Sequence, residues 1–88
     1  MSYIKSSSSL VSLGLPIYNE ETYLKQTLDS ILKQDYEDFE LIISDNTSTD
    51  NSPQICQKYA NKDSRIRYYQ NLTNIGATGN FQKVVELA

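Results

Sequence analysis

Apolar and polar positions fall in short alternating blocks along this chain. Residues 10–17 (LVSLGLPI) are almost continuously apolar. A run of that length fits a strand covered on both faces, as in parallel sheets. Pro16 has no N–H to donate, so the ladder is expected to stop near it. Asn19 then suits a helix cap, with Glu20 and Glu21 placed where negative charge favours a helix start. Leu24, Leu28, Ile31 and Leu32 form an apolar stripe, predicting an amphipathic helix over residues 20–33. A second apolar run, residues 39–44 (FELIIS), predicts a strand, followed by a polar loop over 45–51. Ser52 as cap and Pro53 at the first helical position open a second helix, with Ile55, Tyr59 and Ala60 on its inner face. Residues 66–69 (IRYY) predict a third strand, residues 71–79 a loop, and Phe81, Val84, Val85 and Ala88 a third helix. The sequence stops within that helical pattern. Residues 1–9 (MSYIKSSSS) are polar and without period, and are expected to be a flexible tail outside the fold.

The resulting order, βαβαβα, implies an α/β fold: a Rossmann-like parallel sheet with helices on its faces. Ligands of such sheets bind beyond the carboxyl ends of the strands. Those ends are residues 16–20, 45–50 and 71–79, the most polar stretches of the folded part. The topology therefore gathers them along one rim.

Composition narrows what the rim can do. With 88 residues, the chain has room for one modest core. No apolar run approaches the length of a membrane span, and none follows Lys5 to form a signal peptide. A net charge of −3 without a basic patch argues against a nucleic-acid partner. Histidine is absent, which excludes imidazole acid–base pairs and His-based metal sites within the chain. The single Cys56 forms no internal disulfide, in keeping with a reducing, cytoplasmic setting.

The first loop, Pro16-Ile17-Tyr18-Asn19-Glu20, contains no glycine. That disfavours a dinucleotide fingerprint or a phosphate loop, both of which need backbone approach at Gly. Tyr18 offers a flat face to a base, or packs over the first helix. In the second loop, Asp45 and Asn46 present in-plane hydrogen-bonding groups to a base or ribose, whereas residues 47–50 read as turn and cap formers. Gly76 and Gly79 in the third loop suit positive φ or close approach, and Thr78, Gly79 or Asn80 suits the cap of the last helix. Residues 35–38 form an acidic connection. Arg65 and Arg67 are cations within reach of a diphosphate in principle. The Asn46-Thr47-Ser48 and Asn71-Leu72-Thr73 sequons are read as chance matches.

In this arrangement the chain resembles the amino-terminal part of family 2 glycosyltransferases, which have the GT-A fold. The resemblance rests on residues 11–20 (VSLGLPIYNE), 28–34 (LDSILKQ), 39–46 (FELIISDN) and 48–50 (STD), with Arg65-Ile66-Arg67-Tyr68, Asn74-Ile75-Gly76 and Asn80 behind them. It implies that this part binds a nucleotide-diphosphate sugar, a UDP-sugar above all. Tyr18 would line the base, Pro16 the pocket floor, and Glu20 would lie near the nucleotide. Asp45 and Asn46 stand where the family has an Asp-Asp pair, with an amide in the second place. The family's metal-binding Asp-x-Asp and its general base should come later than Ala88. The resemblance therefore implies Mg2+ or Mn2+ in a full-length relative but no catalytic residue, metal ligand or cofactor within this chain. It casts the chain as a donor-binding half, catalytically silent by itself and lacking the carboxy-terminal part of the enzyme. The acceptor, whether saccharide, lipid or protein, is left open, and a full-length relative would act in the cytoplasm or at the inner face of a membrane. A non-catalytic nucleotide- or protein-binding module, or an inactive remnant, is the alternative.

Overall fold

A computed structural model describes residues 3–7, 10–34 and 38–87. Its elements run β1 (Tyr3–Ser7), β2 (Leu10–Ile17), α1 (Glu21–Leu32), β3 (Phe39–Asp45), α2 (Ser52–Lys62), β4 (Ile66–Gln70) and α3 (Gly76–Leu87). One sheet holds all the strands in the order β1-β2-β3-β4. Strands β2, β3 and β4 are mutually parallel, as the alternating pattern predicts.

The polar lead does not lie outside the fold. Tyr3–Ser7 form β1, antiparallel to β2, with Tyr3 opposite Gly14 and Ser7 opposite Leu10. A strand pairs through main-chain groups that every residue here carries, so Ser-rich composition does not prevent it. Asp35, Tyr36 and Glu37 of the acidic connection, and Ala88 of the third helical stripe, lie outside the described residues.

The core lies on one face of the sheet. Side chains alternate along a strand, so Leu13, Leu41 and Ile66, which are in register across three strands, point the same way. Ile17, Phe39 and Ile43 share that face, and Leu24 and Leu28 of α1 and Cys56 of α2 close over it. Helix α3 packs on the opposite face against β2 and β3 and buries Asn80 and Val84. β3 is thus covered on both sides, and five of its last residues in a row are buried. At the exposed edge of the sheet, β4 buries only Ile66 fully.

Three boundaries differ from the pattern. Asn19 does not cap α1; it has φ 51°, and the helix begins two residues later. Asn51, not Ser52, precedes the first turn of α2. The third helix begins at Gly76, so Thr78, Gly79 and Asn80 lie inside it rather than at its cap. Among the described residues no helix is long and apolar enough to cross a membrane.

Candidate functional site

The carboxyl ends of the parallel strands line up in register: Ile17 beside Asp45, and Asp45 beside Gln70. The ladder extends one step past the strands. Asn46 N–H donates to the Ile17 carbonyl at 2.9 Å, and Asn71 N–H donates to the Asp45 carbonyl at 2.8 Å. The loops that follow therefore leave the sheet side by side.

The first two loops are tied together by side chains. Asn19, in the left-handed region that Asn tolerates better than most residues, accepts from the Thr49 N–H at 2.7 Å and donates its own N–H to Ser48 Oγ at 2.9 Å. Ser52 Oγ accepts from the Glu20 N–H at 2.9 Å, at the start of α1. The Asp50 carboxylate serves both helices, accepting from the Ser52 N–H at 2.9 Å and the Glu21 N–H at 3.1 Å. Asp50 gains from the partial positive charge at two helix starts at once. Burial pushes its carboxyl up, but the donors from Ser52 and Glu21 outweigh burial and hold it below the ordinary value of 3.8. Residues 48 and 50 are therefore structural, as expected of turn and cap formers.

Asp45 lies fully buried beneath this junction. Its Oδ1 accepts from the Ser48 N–H at 2.9 Å and from Ser48 Oγ at 2.6 Å, and its Oδ2 accepts from the Tyr68 hydroxyl at 2.7 Å. Burial, then the bond to Asp45, pushes the Tyr68 phenol far up, so it stays a proton donor. The same surroundings, burial first and the nearby Asp45 and Asp50 charges after it, raise the Cys56 thiol to about 12. Cys56 therefore remains an inert thiol in the core.

The third loop is pinned by asparagines. Asn46 Oδ1 accepts from the Ile75 N–H at 2.8 Å and from Asn71 Nδ2 at 3.2 Å, while Asn46 Nδ2 donates to Asn74 Oδ1 at 2.8 Å. Asn80, buried on α3, accepts from Ser44 Oγ at 2.7 Å and from Asn71 Nδ2 at 3.0 Å, and donates to the Ser44 carbonyl at 2.9 Å. Gly76, at φ +80°, lets the chain turn from this loop into α3.

Where these loops meet there is a hollow of about 180 Å³ lined by Pro16, Ile17, Tyr18, Glu20, Asn46, Ala77 and Asn80. Four of the five residues singled out from the sequence line it together: Pro16, Tyr18, Glu20 and Asn46. Asp45 does not line it, and its carboxylate is occupied by the bonds just described. Tyr18 is 47% exposed, and among the described residues neither its hydroxyl nor the Glu20 carboxylate is spent on the fold. The hollow is smaller than the roughly 300–1,000 Å³ that encloses a drug-sized ligand. It suits one ring of a ligand whose remainder lies outside. Ala77 and Asn80 were not anticipated as lining residues. Extending the apolar stripe of Phe81 and Val84 one turn backward would have placed Ala77 and Asn80 on the inner side of the helix.

Larger hollows lie along α1 and between α1 and α2, and another of about 400 Å³ lies at the end of β4, lined by residues 69–73, Ile75 and Lys83 but by neither Tyr18 nor Asn46. Neither arginine reaches the rim. Arg65 pairs with Asp63 at 2.7 Å and stacks on Phe39, and Arg67 pairs with Glu40 at 3.0 Å. Among the described residues no group of three or more His, Cys, Asp or Glu side chains is placed to hold a metal ion. Asp45 and Asp50 are both committed to hydrogen bonds within the fold. The donor set described thus does not fit a divalent cation.

A sequence profile described as glycosyl transferase family 2 matches residues 12–88. The chain belongs to that family. Glycosyltransferase GlyG of Streptococcus pneumoniae is 45% identical over 60 residues, which cover 68% of this chain and 20% of that protein. An uncharacterized glycosyltransferase of Haemophilus influenzae is 42% identical over 67 residues, covering 76% of this chain and 27% of that protein. Among solved structures, S. aureus TarS 1-349 in complex with UDP superimposes with a TM-score of 0.76 at 34% identity, covering 88% of this chain and 23% of that one. The mannosyltransferase PcManGT from Pyrobaculum calidifontis, solved with GDP-Man and Mn2+, gives a TM-score of 0.79 at 23% identity over 91% of this chain and 24% of that one, a likeness of fold. This glycosyl transferase family 2 chain thus spans about a fifth to a quarter of the length of the relatives it matches. The GT-A, Rossmann-like arrangement implied by the residue pattern is the one these structures share.

Proposed function

We propose that this chain binds the nucleoside end of a nucleotide-sugar donor, with UDP-sugars as the donor class, in the hollow at the strand ends. The observation that carries this reading is the convergence of Tyr18 and Asn46, from separate loops, on one base-sized hollow. Tyr18 provides a face for the base, Pro16 part of the floor, and Glu20 an acceptor for a ribose hydroxyl or base N–H. Asn46 contacts the base edge, and Asp45 braces the loop that carries Asn46. Membership of a glycosyltransferase family and the UDP bound to TarS support the donor class. Transfer to an acceptor requires charge neutralisation at the diphosphate and a base at the acceptor hydroxyl. The described residues supply neither, so this chain binds donor without turning it over. A longer protein containing this part would use Mg2+ or Mn2+ for the transfer.

Calorimetry of the 88-residue chain with UDP, with and without Mn2+, tests the reading. Binding is expected without metal. Stacking on an aromatic ring contributes roughly 1–3 kcal/mol per base, so Tyr18→Ala should weaken UDP binding about tenfold. Heat that depends on Mn2+, or a Tyr18→Ala variant that binds as well as the wild type, would refute it.

A further inference from the structure

We infer that Asn46 can offer a bound base a hydrogen-bond donor only, so that it meets uracil at a carbonyl oxygen and not at the ring N–H. This rests on the nucleotide-binding reading above and narrows it. An asparagine side chain has two hydrogens on Nδ2 and two lone pairs on Oδ1, and an isolated one can serve either kind of partner. Here the fold removes the choice.

The Ile75 main-chain N–H, 2.8 Å from Oδ1, can only donate, which fixes which end of the Asn46 amide is oxygen. Asn71 Nδ2 takes the second lone pair at 3.2 Å. One Nδ2 hydrogen goes to Asn74 Oδ1 at 2.8 Å. The Asn74 amide is itself oriented by the Gly76 N–H, which donates to the same Oδ1 at 2.8 Å. Asn71 has no freedom to reverse the pattern either, because its Nδ2 also donates to Asn80 Oδ1 at 3.0 Å, and Asn80 is set by the Ser44 carbonyl that its Nδ2 meets at 2.9 Å. Main-chain groups at Ile75, Gly76 and Ser44 thus dictate the polarity of the whole asparagine chain. Among the described residues nothing takes the second Nδ2 hydrogen of Asn46. Asn80, the other amide lining the hollow, spends both its hydrogens on the Ser44 and Ile17 carbonyls. The spare Asn46 hydrogen is therefore the one side-chain amide group left for a ligand there. A carboxylate at this position would do the reverse and accept from a base N–H.

The Asn46 side-chain amide of the wild-type chain, followed by 1H–15N NMR during addition of UDP, is the direct test. One Nδ2 proton should move downfield while the one held by Asn74 stays in place. Binding of uridine and UDP to Asn46→Ala, which removes the amide hydrogen, is the second test. Asn46→Ala is expected to bind both about tenfold more weakly than the wild type. If UDP binds and shifts the Tyr18 ring signals while neither Asn46 proton moves, or if Asn46→Ala binds as tightly as the wild type, the donor-only assignment is wrong and nucleotide binding stands. If UDP does not bind the wild-type chain, both fall. Should Asn46→Ala fail to melt cooperatively, the wild-type amide signals decide alone.

Discussion

At the scale of single residues, the rim separates side chains that build it from side chains left for a ligand. Asp45 belongs to the first group: a fully buried carboxylate with three donors is stable only while all of them remain. Hydrogen bonds to charged groups contribute about 1.5–3 kcal/mol, so Tyr68→Phe should lower unfolding free energy by about that much in a denaturant titration. Thr47 shows strain of a different kind. It is β-branched, yet it sits at φ 57° beside Asn46. The left-handed conformation costs roughly 1–2 kcal/mol for a residue with a Cβ, so Thr47→Gly is expected to be neutral to about 1 kcal/mol stabilising, read from the urea midpoint. Sequence alone pointed to Asp45 and Asn46 as a pair with one task. It could not distinguish them, because what separates them is Tyr68, 23 residues from Asp45, and the Ile75 N–H, 29 residues from Asn46.

At the scale of elements, α1 and α2 behave as one layer. The Tyr59 hydroxyl of α2 donates to Asp29 Oδ1 of α1 at 2.6 Å, and that bond, ahead of burial and the Asp29 charge, raises the Tyr59 phenol to about 12. Asp50 joins the same two helices at their starts. Its folded value is depressed, so acid favours the unfolded chain. The stabilisation from Asp50 is complete above the ordinary value of 3.8 and is lost as pH falls through the lower folded value. Asp63, depressed chiefly by its bond to Arg65, acts in the same direction. Melting temperature should therefore fall below about pH 4, and Asp50→Asn should flatten part of that fall. The layer was legible in the sequence because the apolar period marks both α1 and α2, although neither Asn19 nor Ser52 is the cap of its helix. Helix α3 was legible only in its second half. A polar Asn80 on the inner face interrupts the apolar stripe, and its partner Ser44 is 36 residues away. Asn19 looked like a cap because a short polar side chain before a helix usually is one; its partners across the rim lie in another loop.

At the scale of the whole molecule, β1 changes the sheet from a bare parallel core to one with a covered edge. Main-chain pairing is indifferent to side-chain polarity, which is why this strand left no mark in the hydrophobic pattern. The strand it covers, β2, is apolar and would be a template for association if uncovered. Removing residues 1–9 should make the chain self-associate with rising concentration, visible as earlier elution in size-exclusion chromatography, while the intact chain changes less. The position of α3 adds a geometric constraint. α1 and α2 lie on one side of the sheet and carry the chain stepwise from β2 to β4, whereas α3 returns across the other side toward β2. Crossovers between parallel strands are right-handed in about 98% of cases. A parallel strand delivered by α3 would therefore arrive on the flank of β2 away from β3, the berth that Tyr3–Ser7 already fill. That berth admits one tenant, so any lengthening of the sheet in this direction begins with an eviction.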